Sequence, residues 1–364
     1  MDHKGRLKRL QGALDDNRVD ALLITHLPNV RYLCGFTGTA GALVMGAAGG
    51  SFFTDGRYKE QARSQVKGCK VVVAVKPPLA AAAEWLIARA GKRSSAIRKL
   101  GIESDHLTVA GRTQVAKLLR GKFQLRETQG VVERFRMIKD VDEIERLREA
   151  ALLGASLFER ALQVIRPGMR ETQVAAEMEY SARQGGAEEM SFPTIIASGK
   201  RSALPHGRAS QATIPARGFV VCDFGVILAG YCSDRTRTVH VGCLRAEDRR
   251  MYDAVREAQL AAVDSVKAGV SVGEVDQAAR KLLQKRGLAK HFTHSTGHGV
   301  GLEIHEAPRV AAGQTEVLRA GMVITVEPGV YFSGSGGVRI EDVVVVTRGG
   351  CEVLAPASTE LITI

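Results

Sequence analysis

Acidic residues inside apolar, strand-like runs are the feature of this sequence that most limits its fold. Asp223 stands in the run FVVCDF, and Asp234 follows it eleven residues later, after a turn at Gly230. A turn centred on Leu228 and Ala229 predicts that the two aspartates face each other across an antiparallel pair, roughly 5 Å apart. Two buried carboxylates at that distance repel each other unless they share a proton or bind a cation. The fold must therefore supply either a shared proton or a cation at this sheet.

The same arrangement of acids recurs in MVITVEPGVYFSGSGGVRIEDVVVV. Glu327 and Glu341 lie in two apolar strands, and the midpoint between them is Gly334, in a GSGG stretch that supplies a turn. These two glutamates are therefore also predicted to face each other. The alternation around the second of them requires either Glu341 or Asp342 to point inward, which costs free energy unless that carboxylate is paired.

A glycine-rich segment with three histidines lies between the two acid pairs. It reads HSTGHGVGLEIHEAP, and its histidines are His294, His298 and His305. Its glycines allow a neighbouring backbone to approach closely. Each residue alone has an ordinary explanation, such as a turn aspartate or a satisfied core histidine. Four strand-borne acids in two opposed pairs, together with a histidine in such a segment, instead predict a metal centre.

The donor set of this predicted centre indicates two metal ions. Four carboxylates carry four negative charges, which two divalent cations neutralise, and carboxylates can bridge two ions roughly 3.5–4 Å apart. Oxygen donors with one imidazole suit Mn²⁺ best, with Co²⁺ or Zn²⁺ as alternatives. The absence of thiolates from this set argues against a structural zinc site.

A faint internal repeat relates residues 165–187 to residues 266–288 at an offset of 101. The matched residues are Gly168 with Gly269, Val174 with Val275, and Gly186 with Gly287. Each copy reads as helix, glycine turn and helix, followed by strands. Two such units in tandem predict one domain with a pseudo-twofold axis, whose central site can draw ligands from both halves. Coincidental similarity between two helical hairpins is the alternative.

The front of the chain alternates between strands and helices, which predicts an α/β domain with a mainly parallel or mixed sheet. Strands are predicted at 21–25, 42–46, 51–55 and 71–75, and helices at 56–66, 79–90 and 108–120. Residues 127–142 are interpreted as a linker that runs into the next helix. We therefore predict two domains, residues 1–130 and residues 131–364.

The formal net charge of +12 belongs entirely to the front domain, where 22 Lys and Arg residues face 10 Asp and Glu residues between positions 1 and 130. These basic residues are scattered in runs no longer than two, which favours a solvated surface over a nucleic-acid site. No apolar run is long enough to span a membrane. The six cysteines form no CxxC motif, which is typical of reduced thiols, so a cytoplasmic location is expected.

Several segments together resemble the pita-bread metallopeptidases, a family that includes aminopeptidase P, prolidase (X-Pro dipeptidase) and methionine aminopeptidase. The segments are DFGVILAGYCSDRTRT, HSTGHGVGLEIHE, VEPGVY and VRIEDVVVVT. Upstream, ASGKRSALPHG is similar to the segment that brings a further histidine to the site in the proline-specific members. LPNVRYLCGFTG and FTDGRY resemble the amino-terminal domain of aminopeptidase P and prolidase, so the resemblance covers essentially the whole chain.

The resemblance implies a fold and a role for each site residue. The fold is α/β (α+β), with an amino-terminal creatinase/prolidase-type domain followed by a pseudo-twofold pita-bread catalytic domain. The implied metal ligands are Asp223 on the first metal, Asp234 and Glu341 bridging both, and His298 and Glu327 on the second. The implied substrate and catalytic residues are His206 and His305 at the scissile carbonyl, Glu327 as general base, and His294 with Arg339 around the residue after the scissile bond.

The resemblance implies a dinuclear metallopeptidase that cleaves the bond before proline in dipeptides or short peptides, with an X-Pro dipeptidase preferred. The alternative is an X-Pro aminopeptidase that acts on longer peptides, because both activities use the same residues. A non-catalytic peptide-binding module is a more remote alternative, and such modules typically lack some of the ligands. A creatinase resembles this fold but works without metal, and it differs from this chain at the metal-ligand positions. The resemblance also implies a homodimer with no membrane or nucleic-acid partner.

Overall fold

The computed structural model describes residues 1–89 and 97–364, which separate into two compact units, Met1–Arg136 and Met137–Ile364. Residue 90, the last of the helix predicted at 79–90, lies outside the described residues. The division falls after residue 136 and not after residue 130. A short helix at Glu133–Arg136 belongs to the first unit, where the side chains of Val132 and Arg136 are buried.

The first unit contains a mixed sheet flanked by helices, as its alternating sequence predicts. Its strands are β1 Ala21–Ile24, β2 Ala42–Gly46, β3 Gly49–Asp55, β4 Cys69–Ala74, β5 Lys99–Glu103 and β6 Gln124–Thr128. Its helices are α1 His3–Gly12, α2 Leu27–Cys34, α3 Lys59–Gln65, α4 Pro78–Arg89, α5 Val109–Leu119 and α6 Glu133–Arg136, with a 3-10 turn at Gly56–Tyr58. The strand order is β4-β3-β2-β1-β5-β6. Strand β2 runs antiparallel to β1 and β3, β3 runs parallel to β4, and β5 runs parallel to β1 and β6.

Two strands of this sheet were missed in the sequence, and the predicted linker is partly wrong. Strand β5 carries Gly101 in its middle, and β6 reads QLRET with mostly exposed side chains, so neither gives a clear apolar signal. The end of β6 and helix α6 occupy part of residues 127–142, which were predicted to be a linker.

The second unit contains two helical hairpins and several short antiparallel sheets. Its helices are α7 Val141–Val164, α8 Glu171–Gln184, α9 Ala246–Ser265 and α10 Val272–Lys285, with 3-10 turns at Gly199–Ala203 and Ala289–His291. Its first strands are β7 Glu189–Met190, β8 Ile195–Ser198, β9 Gly218–Phe224, β10 Val226–Leu228, β11 Tyr231–Cys232 and β12 Arg235–Val241. The remaining strands are β13 Gly297–Gly299, β14 Glu306–Val310, β15 Val323–Val326, β16 Gly329–Phe332, β17 Gly336–Arg339, β18 Asp342–Val346 and β19 Cys351–Val353.

The internal repeat is a feature of the structure. Helices α8 and α10 both have 14 residues, and their starts, 171 and 272, differ by the same 101 positions as the sequence repeat. Gly168 and Gly269, which precede these helices, have φ angles of +83° and +93°. This left-handed conformation is one that glycine adopts without strain. The predicted tandem of two helix–turn–helix units is therefore confirmed.

Each half of the second unit has its own apolar core between its helical hairpin and its strands. In the first half, α7 and α8 pack on β8, β9 and β12 through residues such as Leu157, Met178 and Val220. In the second half, α9 and α10 pack on β15 and β18 through residues that include Leu283 and Ile324. The faces of these strands that point away from the two cores are available for the acidic residues.

Candidate metal centre and active site

The first acid pair lies on strands β9 to β12, but its pairing differs from the prediction. The chain turns at Ala229 and Gly230, whose φ angles are +48° and +82°, one residue later than predicted. The ladder therefore shifts by two residues, and Asp223 pairs with Thr236 instead of Asp234. Because side chains alternate with a period of two, a shift of two keeps Asp234 on the same face as Asp223. The predicted direct opposition is wrong, whereas the shared face is kept.

The second acid pair follows the predicted register. Strand β15 pairs with β18, and β16 pairs with β17, around a turn at Gly334. The flanking pairs are Val326 with Asp342 and Gly329 with Arg339. Both ladders share one register, so Glu327 and Glu341 occupy facing positions between them.

The neighbouring acids Glu341 and Asp342 are both buried, with 1% and 4% of their surfaces exposed. They point to opposite sides of the strand. Asp342 accepts hydrogen bonds from Arg237 Nη2 at 2.7 Å and from Gln259 Nε2 at 2.9 Å. The charge of Asp342 is thus compensated by the protein. This arrangement leaves Glu341 as the acid that faces the candidate site.

His298 lies on the short strand β13, where two glycines allow the chain to pass between its neighbours. A Cβ atom on Gly297 would lie 2.0 Å from the carbonyl oxygen of Thr325, and one on Gly299 would lie 2.2 Å from that of Ala307. Only glycine fits at both positions. The segment between the acid pairs therefore places His298 within a packed sheet, as its glycines predicted.

The unprotonated nitrogen of the His298 imidazole faces carboxylate oxygens. Its Nδ1 donates to the carbonyl of Gly299 at 3.0 Å, so in the neutral ring Nε2 carries a lone pair. Nε2 lies 3.5 Å from Asp234 Oδ2 and 3.5 Å from Glu327 Oε1. A lone pair directed at two carboxylates is unfavourable unless a cation lies between them.

Three of the predicted ligands meet a geometric condition for holding a metal ion. One donor atom each from Asp234, His298 and Glu341 lies within 4.8 Å of the others. In addition, Asp223 Oδ1 and Glu341 Oε1 are buried without a hydrogen-bond partner among the described residues. Buried oxygens of this kind are costly unless they are satisfied. The residues present therefore fit divalent cations.

Burial dominates the ionisation of this cluster. It raises the pKa of Asp223, raises those of Asp234 and Glu327 well above their usual range, and raises that of Glu341 to about 8. Repulsion from neighbouring carboxylates raises the pKa of Asp234 and Glu327 further. Burial also lowers the pKa of His298 to about 4. The cluster alone therefore favours protonated acids and a neutral imidazole, and a bound cation would favour the carboxylates.

Arg339 is held among polar groups at one side of the cluster. Its side chain is almost fully buried and forms a close ion pair with Asp223 through Nη2. Nη1 donates to Tyr331 Oη at 2.7 Å and to the carbonyl of Pro205 at 3.0 Å, and Nε donates to Thr236 Oγ1 at 3.1 Å. Among the described residues, these contacts use four of the five N–H groups of the guanidinium.

Tyr331 joins Arg339 to His294, a link that the sequence did not suggest. His294 Nδ1 donates to the carbonyl of Ser295 at 2.8 Å, so its Nε2 accepts from Tyr331 Oη at 2.9 Å. Burial lowers the pKa of His294 to about 4, which keeps the ring neutral. The tyrosine stands in the VEPGVY segment, but nothing in its spacing distinguished it from a core aromatic residue.

A cavity of about 760 Å³ in the second unit brings the predicted site residues together. They are His206, Asp223, Asp234, His294, His298, His305, Glu327, Arg339 and Glu341. The His298 and His305 rings lie with their centroids 4.4 Å apart. The cavity is also lined by residues that sequence reasoning did not select, among them Phe192, Pro193, Arg208, Ile304 and Arg309. Their sequence context does not distinguish them from ordinary loop or strand residues.

Comparison with known proteins identifies the family of the chain that forms this cavity. Residues 145–348, which contain the acid pairs and all three histidines of the glycine-rich segment, match metallopeptidase family M24. The chain belongs to metallopeptidase family M24. Residues 6–138 match the creatinase/prolidase N-terminal domain. The predicted fold class is therefore confirmed: a creatinase/prolidase-type domain precedes the pita-bread domain, and the resemblance in the sequence is correct.

Relatives within the M24 family cover essentially the whole chain. It is 37% identical to the Xaa-Pro dipeptidase of Pyrococcus horikoshii over 98% of both chains. The solved structure of the Xaa-Pro dipeptidase from Bacillus anthracis has a TM-score of 0.95 and 41% identity and covers 100% of both chains. The X-Pro aminopeptidase from Thermotoga maritima has a TM-score of 0.89 and 32% identity, and the match covers 99% of this chain and 100% of that one.

Among residues 1–89 and 97–364, no helix combines the length and apolar character that a bilayer crossing requires.

An M24 metallopeptidase requires divalent metal ions, and the carboxylate cluster is the group of residues in the described chain that fits them.

Proposed function

We propose that the protein is an X-Pro dipeptidase, a metallo-exopeptidase that hydrolyses the bond before proline in dipeptides. One observation carries this proposal. Donor atoms of Asp234, His298 and Glu341 meet within 4.8 Å of one another in a cavity of about 760 Å³. Full-length similarity to two Xaa-Pro dipeptidases, at 37% and 41% identity, supports the bond specificity.

In this proposal five residues hold two divalent metal ions, most favourably Mn²⁺. Asp223 would hold one ion, His298 and Glu327 would hold the other, and Asp234 and Glu341 would be shared between the two. When bound, two such ions polarise the scissile carbonyl and lower the pKa of a water molecule. The oxygen-rich donor set with a single imidazole supports Mn²⁺ over Zn²⁺.

The chain's own groups orient the peptide and move its protons. Glu327 accepts the proton of the attacking water as general base. His206 and His305 bind the scissile carbonyl and assist proton transfer to the leaving amine. His294 and Arg339 line the pocket for the proline, whose carboxylate the fifth N–H of the Arg339 guanidinium would bind.

A metal-reconstituted assay tests the proposal directly. We expect Mn²⁺-loaded protein to cleave an X-Pro dipeptide faster than an X-Pro-Y tripeptide, and to leave a Met-X dipeptide intact. Asp234→Asn and Glu341→Gln should abolish turnover and lower the bound metal, because each removes a bridging charge. Asp253→Asn, on the exposed surface of α9, is the matched control and should change neither. Normal metal content and turnover in both site variants would disprove the assignment.

X-Pro aminopeptidase activity on longer peptides is the second candidate. The 0.89 TM-score to the Thermotoga maritima enzyme favours it, because that match also covers both chains. Faster cleavage of the tripeptide than of the dipeptide in the same assay would select this alternative. The homodimer and the cytoplasmic location stay predictions from the sequence, and light scattering of the purified protein tests the first.

A further inference from the structure

Three histidines of the cavity lie on segments that are anchored by ion pairs of buried carboxylates, none of which is a predicted metal ligand. The pairs are Glu171–Arg201 for the segment of His206, Asp276–Arg280 for that of His294, and Glu306–Lys139 for that of His305. In every pair the carboxylate is largely withdrawn from solvent, with at most 6% of its side chain exposed.

Glu171, the first residue of α8, holds both ends of the segment 198–210, which carries His206. Its fully buried carboxylate accepts from the backbone N–H and the hydroxyl of Ser198 at 2.8 and 2.9 Å. It also accepts from the backbone N–H and the hydroxyl of Ser210 at 3.1 and 2.7 Å. A single side chain thus closes the loop at its two ends.

Arg201 extends this anchor into the loop itself. Its Nε donates to Glu171 Oε2 at 3.0 Å. Its Nη2 donates to the backbone carbonyl of Arg208 at 2.8 Å, two residues after His206. The backbone on the far side of the histidine is therefore tied to the same buried carboxylate.

Asp276 in α10 anchors the segment of His294 in a comparable way. Its side chain is 1% exposed, and its Oδ2 accepts from Arg280 Nε at 2.6 Å. Arg280 then donates to the carbonyls of Phe292 at 3.3 Å and His294 at 2.6 Å. Thr296 Oγ1 donates to Asp276 Oδ1 at 2.8 Å, which fixes the segment beyond the histidine.

Glu306 follows His305 directly and pairs with Lys139 at 3.2 Å, with side chains 6% and 1% exposed. Glu306 Oε1 also accepts from the backbone N–H of Glu303 at 3.2 Å. Both sides of His305 are therefore held through one buried carboxylate.

We propose that these three carboxylates are positioning residues, each of which fixes the backbone that presents one histidine to the cavity. The catalytic consequence rests on the proposed function, in which these histidines contact the peptide. Displacement of such a group by about 1 Å can cost about 100-fold in rate. Glu171 and Asp276 stand at non-equivalent positions of the repeat, so the two halves reached similar anchors by different residues.

The test follows the histidine rings directly in the full-length, Zn²⁺-loaded protein, because Zn²⁺ does not broaden NMR signals. The ¹⁵N imidazole resonances are assigned with His206→Gln, His294→Gln and His305→Gln. We expect Glu171→Gln to shift the resonances of His206 alone. Asp276→Asn should shift those of His294, and Lys139→Met those of His305. Bound metal should stay at the wild-type level in all three variants.

The second readout is kcat/KM for an X-Pro dipeptide, which we expect to fall by about 10- to 100-fold in each variant. Glu177→Gln is the matched control, because Glu177 lies on α8 like Glu171 but pairs with Arg160 at the surface, both side chains being 40% exposed. It should change neither readout. If the wild-type protein fails to cleave X-Pro peptides, the proposed function falls while the resonances still decide the positioning role.

Should Glu171→Gln fail to fold, Ser210→Ala and Arg201→Lys each remove one part of the same anchor. Arg201→Lys keeps the charge beside Glu171 but shortens the reach to the Arg208 carbonyl. We expect a smaller shift of the His206 resonances from either change. Unchanged His206 resonances and unchanged kcat/KM in the folded variants would overturn the proposal.

Discussion

Removing the metal ions should make the protein less stable as the pH rises above 6.5. In the folded chain, burial and repulsion from the nearby Asp223 together raise the pKa of Glu341 from 4.5 to about 8. Between these two values the folded protein keeps a proton that the unfolded chain has lost. The stability contributed by this proton is complete below pH 4.5 and is lost as the pH approaches 8.

The size of this loss of stability is easiest to calculate between pH 6.5 and 8. His294 and His298 have folded pKa values of about 4 against 6.5, so above pH 6.5 both are mostly neutral in either state and add little to the slope. Over the remaining 1.5 units, at 1.36 kcal/mol per unit, Glu341 alone accounts for about 2 kcal/mol of lost stability. The raised pKa values of Asp234 and Glu327 act in the same direction.

Urea denaturation of chelated and Mn²⁺-loaded protein at pH 6.5 and pH 8 measures this difference. We expect the chelated protein to lose about 2 kcal/mol, or about 4–8 °C in melting temperature for a unit of this size, between the two pH values. The loaded protein should lose much less, because a cation favours the charged carboxylates. Chelated Glu341→Gln should show a shallower slope than the chelated wild type. A chelated wild type that is equally or more stable at pH 8 would refute the reasoning.

Three other substitutions test the surroundings of the site. Arg237→Met should destabilise the protein by about 3 kcal/mol, because buried Asp342 loses the nearer of two arginine partners and keeps Arg235 at 3.7 Å, and Arg237→Lys should recover part of this loss in urea denaturation. Gly225→Ala should lower bound metal, since its Cβ would lie 1.9 Å from the Ser233 carbonyl beside the first acid pair; wild-type metal content would contradict this. Tyr331→Phe should raise KM for an X-Pro dipeptide while leaving metal content unchanged, and an unaltered KM would show that its hydroxyl is dispensable.

The sequence predicted which residues line the cavity better than it predicted the pairing of the strands that carry them. Acids in apolar strands and the glycine spacing around His298 are local signals, so they could be seen without the fold. The turn at Ala229 could not, because a non-glycine residue with a positive φ leaves no reliable mark in the sequence. The resulting error of two residues still kept Asp223 and Asp234 on one face.

The anchors of the histidine segments could not be predicted from the sequence for a different reason. Glu171 and Asp276 stand among the polar residues of amphipathic helices, where an acid is usually solvated. Glu171 binds Ser210, which is distant in the chain, and Asp276 reaches the carbonyl of His294 only through Arg280. Only the folded chain shows that these acids are buried.

The division of the acidic residues between the two repeats also bears on the order of events during folding. Asp223 and Asp234 come from the first half of the second unit, and His298, Glu327 and Glu341 come from the second half. A chain with only one half folded offers too few donors to bind metal tightly. Metal ions therefore bind tightly only once both halves have folded. We expect them to slow unfolding while leaving the refolding rate nearly unchanged.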